Sequence, residues 1–244
     1  MWRTRPGRWL ARTPAAAADA RLFLIPYAGC GAGLFRNWPK EWASVELLPV
    51  ELPGRETRLA EPVAGTFQEL AAAMIDALEP YFDVPFAFFG HCWSALAAYE
   101  ATAQLERSGA PEPARLFVSS QVAPQDGPVG RMLSMNDAEM AQELETTIQA
   151  LGGQPHPDLI SIYVNVLRAD VDTSRRYVVP DPVRVSCPIT AIGWTDDSEV
   201  DPEQMKGWPV CGETEFVVLT GRHHRFIDAP SELLDVLCPP LRRR

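Results

Sequence analysis

The sequence contains no apolar run approaching the length of about eighteen residues that a membrane-spanning helix requires, so no membrane association is expected. Cysteine is scarce too: 5 residues (Cys30, Cys92, Cys187, Cys211, Cys238), odd in number and without a CxxC pair. That argues against a disulfide framework and against a zinc or other metal site, and a reducing cytoplasm is the expected compartment. Cations are in deficit, with 22 Lys and Arg against 32 Asp and Glu and a formal charge of −10. General nucleic-acid or anionic-membrane binding needs clustered cations, so neither is expected. Arg3, Arg5, Arg8 and Arg12 near one end, and Arg242, Arg243 and Arg244 at the other, read as solvated tails. The opening MWRTRPGRWLARTPAAAADA lacks the continuous apolar region and cleavage motif of a targeting peptide, and reads as a tail leading into the first strand. No internal repeat and no interdomain linker is visible.

What is present is the composition of an ordinary globular chain, 46% hydrophobic and 22% charged. A length of 244 residues fits one α/β domain with an elaboration, taken here as residues 1–244. Six β-type runs recur: RLFLIPY, VELLPVEL, FAFFG, RLFVSS, PITAIG and TEFVVLTG. Several are apolar throughout, as parallel strands covered on both faces are. Helical patterns at 66–82 and 93–109 alternate with them, which predicts a mostly parallel, doubly wound sheet whose strand ends share one edge. The rhythm breaks from about residue 121 to 186, too long for a simple loop, and predicts an inserted helical lid. Within it Asn136 can cap a helix carrying Met140, Leu144 and Ile148, with Glu139 completing a capping box, and PDLISIYVNVLRAD supplies a second helix.

Chemistry concentrates at FAFFGHCWSALAAYE, residues 86–100. A strand running into Gly90 and a helix starting near Trp93 leave Cys92 on a sharp turn, the outline of a nucleophile elbow with the usual serine missing. A nucleophile needs a base, and the base an orienting acceptor. His223 and His224 follow the last strand, and Asp196 and Asp197 follow PITAIG, so one of each pair is a candidate at the strand-end edge. The order nucleophile, acid, histidine is that of α/β-hydrolases. The first strand ends in the glycine-rich AGCGAG, where the N–H near Ala28 can join that of Trp93 as an oxyanion hole. Neither GxGxxG nor GxxxxGK[ST] is present, so a phosphate loop is disfavoured.

These residues resemble the type II thioesterases that accompany modular polyketide and nonribosomal peptide synthetases. PYAGCGAGLFRNWP resembles the family's P-x-A-G-G opening, ELPGRETRL its Q-L-P-G-R-E segment, and FFGHCWSALAAYE its F-G-H-S-M-G-A elbow. LGGQP and LRAD resemble parts of the lid, CPITAIGWTDD the acid strand, and LTGRHHRF the terminal P-G-G-H-F-F. The resemblance implies an α/β-hydrolase with a lid, acting without a cofactor of its own on thioesters presented on the phosphopantetheine arm of an acyl or peptidyl carrier protein, and working as a monomer. Carried over by position, the nucleophile falls on Cys92, the base on His223, the acid on Asp197 with Asp196 as fallback, and the oxyanion donors on Ala28 and Trp93. Four departures mark this chain: cysteine replaces the serine, Trp93 a methionine, Ser94 a glycine and Cys30 a glycine. Hydrolysis through an acyl-Cys92 intermediate is the expected activity. The alternatives are an acyl or aminoacyl transferase moving a thioester-bound group to another carrier or acceptor, which cysteine suits, and a non-catalytic relative that only binds carrier proteins.

Overall fold

The computed structural model describes residues 8–150, 153–238 and 241. In chain order the main elements are β1 (Ala20–Ile25), β2 (Glu41–Trp42), β3 (Val45–Pro49), α1 (Phe67–Leu78), β4 (Phe86–His91), α2 (Trp93–Ser108), β5 (Arg115–Ser119), α3 (Asp137–Ala150), α4 (Pro157–Arg176), β6 (Ile189–Trp194), β7 (Thr214–Leu219) and α5 (Ser231–Leu237). They form an α/β-hydrolase fold around a 7-stranded sheet of order β2-β3-β1-β4-β5-β6-β7. All neighbouring pairs are parallel except β2 with β3.

The strands that read as continuous apolar runs are central: β1, β4 and β6 are buried at every position. Chain order reverses at β1, with β3 on one side and β4 on the other. The crevice beyond the carboxyl ends of β1 and β4 is therefore the switch point, where ligands settle in open α/β sheets. Two loops meet there, one after β1 and one after β4.

The chain between β5 and β6 forms α3 and α4, which lie against each other. Asn136 Oδ1 accepts from the N–H groups of Ala138 and Glu139, and Glu139 Oε2 accepts from Asn136 N–H, so α3 starts on a reciprocal capping box. Met140 and Leu144 on α3, with Ile160, Val164, Leu167 and Val171 on α4, turn an apolar seam toward the sheet edge. The seam rests on the loop after β1: a Cβ at Gly29 would stand 3.3 Å from Leu167 and 3.6 Å from Leu144, and Gly29 has φ +74°.

Two sequence readings need correction. Arg12 is no solvated tail residue; its guanidinium donates to the carbonyls of Phe35, Trp38, Pro39 and Leu47, pinning the N-terminal segment to the sheet. Residues β2 contributes were not read as a strand, because two residues paired antiparallel at an edge carry no pattern. Arg3, Arg5 and Arg242 to Arg244, with Leu151 and Gly152 of LGGQP, lie outside the described residues. No helix among the described residues is long and apolar enough to cross a membrane.

Candidate active site

Cys92 occupies the turn between β4 and α2 with φ 54° and ψ −124°, a conformation that costs a non-glycine residue about 1–3 kcal/mol. Its surroundings hold it there. The Cys92 N–H donates to Ser119 O at the end of β5 (2.8 Å), and Ala95 N–H returns to Cys92 O (3.0 Å). Gly90 is needed for the approach of α2, since a Cβ at that position would stand 2.2 Å from Ser94 O. Ser94, where the resembling family has glycine, is fully buried; its hydroxyl accepts from His91 N–H (2.9 Å) and lies 2.9 Å from Ile25 O and 3.0 Å from His91 O. That hydroxyl fastens the elbow to β1. Trp93 turns inward, its indole N–H donating to Asp170 O at 2.8 Å and its ring packing 5.0 Å from that of Phe67.

The loop after β7 enters a short 3-10 helix at His223, and the loop after β6 carries Asp197. His223 Nδ1 stands 3.0 Å from both carboxylate oxygens of Asp197. The carboxylate also accepts from Ser120 Oγ (2.7 Å) and from the N–H groups of Glu199 (2.8 Å) and Val200 (3.1 Å). Burial works to raise Asp197, but these donors and His223 outweigh it and hold the carboxyl down at about 2. At His223 burial works downward, and the hydrogen bond to Asp197, with the nearby Cys92 sulfur and the Glu199 charge, outweighs it, pushing the imidazole up to about 10. The rise at His223 exceeds the fall at Asp197 because His223 also answers to Cys92 and Glu199. The Cys92 sulfur, a His223 ring nitrogen and a Glu199 carboxylate oxygen all lie within 4.8 Å of one another.

The geometry thus brings Cys92, His223 and Asp197 together and leaves their sequence neighbours aside. Asp196 is exposed and accepts from Thr195 Oγ1 at 3.1 Å. His224 packs its ring 5.5 Å from that of Tyr27. Ala28 and Trp93 line, with Cys92, an inner cavity of about 40 Å³. A larger cleft of about 750 Å³ opens on the far side of His223, and Arg131 and Glu199 line both spaces.

Sequence reasoning missed four features. Glu199 points at the sulfur and imidazole from two residues beyond Asp197. Arg131 joins it to α3, its Nε standing 3.2 Å from a Glu199 carboxylate oxygen and both terminal nitrogens donating to Glu143. His91 is buried beside His223, its Nδ1 3.0 Å from Ser119 Oγ, and burial followed by the charges of His223 and His224 keeps it well below the ordinary imidazole range. Finally, Asp170 on α4 forms a two-point ion pair with Arg55 (2.9 and 3.0 Å) and accepts from Gly29 N–H (2.8 Å), tying α4 to the loop of Ala28. Arg55 and Asp170 stand in the PGRE and LRAD segments, so the signal was in the resemblance while the contact, 115 residues apart, was not. As for metals, sulfur, imidazole and carboxylate are a zinc-type donor set, with His223 Nδ1 already committed to Asp197 and Glu199 Oε1 to Arg131.

A family model described as "Thioesterase domain" matches residues 20–238. The gramicidin S biosynthesis protein GrsT of Aneurinibacillus migulanus is 32% identical over 93% of this chain and 91% of its own length. Among solved structures, the RedJ thioesterase from the prodiginine biosynthetic pathway in Streptomyces coelicolor is 34% identical, with a TM-score of 0.73 over 93% of this chain and 94% of that one. YbtT, a type II thioesterase from the yersiniabactin NRPS/PKS biosynthetic pathway, is 25% identical with a TM-score of 0.79 over 93% and 95%.

Proposed function

Since this chain belongs to the thioesterase domain family, we propose that it acts on acyl or aminoacyl thioesters carried by acyl or peptidyl carrier proteins of polyketide or nonribosomal peptide biosynthesis, through a covalent acyl-Cys92 intermediate. The observation that carries the reading is a cysteine held at the elbow, its sulfur within 4.8 Å of a ring nitrogen of a histidine that a buried carboxylate orients. Phosphopantetheine is part of the substrate, and the protein brings no cofactor to the step.

Chemistry follows from that arrangement. The Cys92 sulfur, giving its proton to His223, attacks the thioester carbonyl. Negative charge develops on the carbonyl oxygen, for which the N–H groups of Ala28 and Trp93 are the proposed donors. Collapse breaks the bond to the carrier arm, and His223 gives its proton to the departing sulfur. Asp197 fixes the His223 ring so that Nε2 faces the reaction, and does not itself take the proton. Neutral His223 then activates water, which attacks the acyl-Cys92 carbonyl, and the proton returns through His223 to the Cys92 sulfur as the acid departs.

One observation favours a second outcome for the same intermediate. An acyl-cysteine is itself a thioester, close in free energy to the loaded carrier, so passage to another thiol or an amine is not opposed by an energy drop at the first step. The non-catalytic alternative has no comparable support, since it leaves the convergence of Cys92, His223 and Asp197 without a role.

Intact-mass measurement after incubation with acyl-loaded carrier tests the reading. A mass gain equal to the acyl group, absent from Cys92→Ala, is the expected result. No adduct on folded protein with any loaded carrier overturns the covalent reading, and adding a second, empty carrier separates transfer from release into water.

A further inference from the structure

The steps above use Cys92, His223 and Asp197 and leave one carboxylate of the site without a task. The Glu199 side chain is only 7% exposed. One oxygen receives Arg131 Nε at 3.2 Å; the other faces His223 Nε2 at 3.9 Å, too far for a hydrogen bond. Arg131 gives its remaining nitrogens to Glu143, so one guanidinium serves two carboxylates and the cluster holds a surplus negative charge. The hydrogen bond from Arg131, with burial working against it, keeps Glu143 below the usual carboxylate range.

Before acylation, protonated His223 faces the free oxygen of Glu199. Acylation removes that partner: the Cys92 sulfur bonds to the acyl carbon, the carbon–sulfur bond to the carrier arm breaks, and the His223 proton leaves with the arm's sulfur. The acyl-enzyme then keeps the Glu199 carboxylate and loses the cation opposite it. A carboxylate only 7% exposed, with Arg131 on one oxygen, has its other oxygen open to a positive group supplied by the substrate.

Resting on the acyl-Cys92 reading, we propose that Glu199 receives the α-ammonium group of an aminoacyl thioester, and that short aliphatic α-aminoacyl groups are the preferred cargo of Cys92. In an acyl-cysteine the α-nitrogen is three bonds from the sulfur, about 3–4 Å away. A charge-assisted hydrogen bond adds about 2.8 Å. A carboxylate oxygen within 4.8 Å of the sulfur is inside that reach. The side-chain space agrees: the cavity beside Cys92, about 40 Å³ and walled by Val129, Met132, Leu133 and Val171, admits a few carbon atoms. An acyl group of the same length without nitrogen leaves the second Glu199 oxygen with Arg131 on its neighbour only, and sites built to bond a substrate N–H reject the analogue that lacks it.

Three carriers loaded with alanyl, propionyl and N-acetylalanyl groups provide the test, read as single-turnover formation of the Cys92 adduct by intact mass. Wild-type protein is expected to load alanyl at least tenfold faster than propionyl, with N-acetylalanyl no better than propionyl. Glu199→Gln is expected to lower the alanyl-to-propionyl ratio about tenfold. Equal wild-type rates for alanyl and propionyl overturn the inference and leave the acyl-Cys92 reading standing. The same holds if Glu199→Gln slows both substrates by one factor, because the carboxylate then acts on His223 alone. Absence of an adduct from every carrier removes both readings together. If Glu199→Gln does not fold, the wild-type comparison of the three carriers decides.

Discussion

The ion pair between Arg55 and Asp170 gives the sharpest quantitative test of how the site is held. Arg55 is 3% and Asp170 1% exposed, and they meet at 2.9 and 3.0 Å. Asp170 Oδ2 also accepts from Gly29 N–H at 2.8 Å, and Arg55 Nη1 donates to Cys30 O at 3.1 Å. Removing one partner leaves the other charge buried and uncompensated, which costs about 3–5 kcal/mol. For a chain of this size each kcal/mol moves the melting temperature by about 2–4 °C, so Arg55→Met and Asp170→Leu should each lower it by about 6–20 °C. Combined, the two substitutions remove both charges and put apolar atoms in their place. The double variant should therefore lose no more than either single one, a coupling of about 3 kcal/mol or more. Urea and thermal unfolding of all four proteins measure this. Losses under about 1 kcal/mol in the single variants, or losses that add within about 0.5 kcal/mol in the double, refute the reasoning. Acylation separates packing from positioning. The double variant recovers stability but not rate, because Gly29 N–H has lost the acceptor that holds the loop of Ala28.

Two further outcomes follow from the turn at Gly90 and from His223. Gly90→Ala puts a Cβ 2.2 Å from Ser94 O and 2.6 Å from Ala95 N, both backbone atoms, so the start of α2 must shift; a loss of about 3 kcal/mol in urea unfolding is expected, and a change within 0.5 kcal/mol would count against the described turn. His223 is raised in the folded state to about 10 from its ordinary 6.5, so the protonated form is the one the fold prefers. Its stabilisation is present in full below about pH 6.5 and is lost as pH rises through about 10. The melting-temperature gap between wild type and His223→Gln should accordingly shrink between about pH 6 and pH 10, and a gap that widens with pH contradicts the assigned partners.

The fold was legible because its strongest signals are local. β1, β4 and β6 are buried on both faces, and their apolar continuity is written in consecutive residues. The α3 cap joins residues only three apart, so Asn136 and Glu139 announce it. Arg12 was misread for the opposite reason: its acceptors lie 23 to 35 residues away, in carbonyls that only folding assembles. At the site, strand ends nominated pairs and the family resemblance chose His223 and Asp197 within them, while what sets the chosen residues apart physically lies in three-dimensional partners. Adjacent aspartates look alike in sequence; Ser120, 77 residues from Asp197, distinguishes them in space. Glu199 was invisible because its direction is set by a turn that wraps back on Asp197, through two N–H donors that no residue type reveals.

The two departures that flank Cys92 belong to one mechanical unit. Ser94 fastens the elbow to β1 through Ile25 O, and Trp93 fastens the first turn of α2 to Asp170 O on α4. The side chain of that same Asp170 holds Gly29 N–H and, through Arg55, the carbonyl of Cys30. One residue of α4 therefore touches the α2 side of the site with its backbone and the Ala28 side with its carboxylate. Displacing α4 removes an acceptor from both at once, so exclusion of water by α4 and spacing of the two proposed oxyanion donors change together. On the proposed reading, such a site stabilises the oxyanion only while α4 covers it, and the proposed acyl-Cys92 stays shielded until an acceptor arrives through the cleft beside His223.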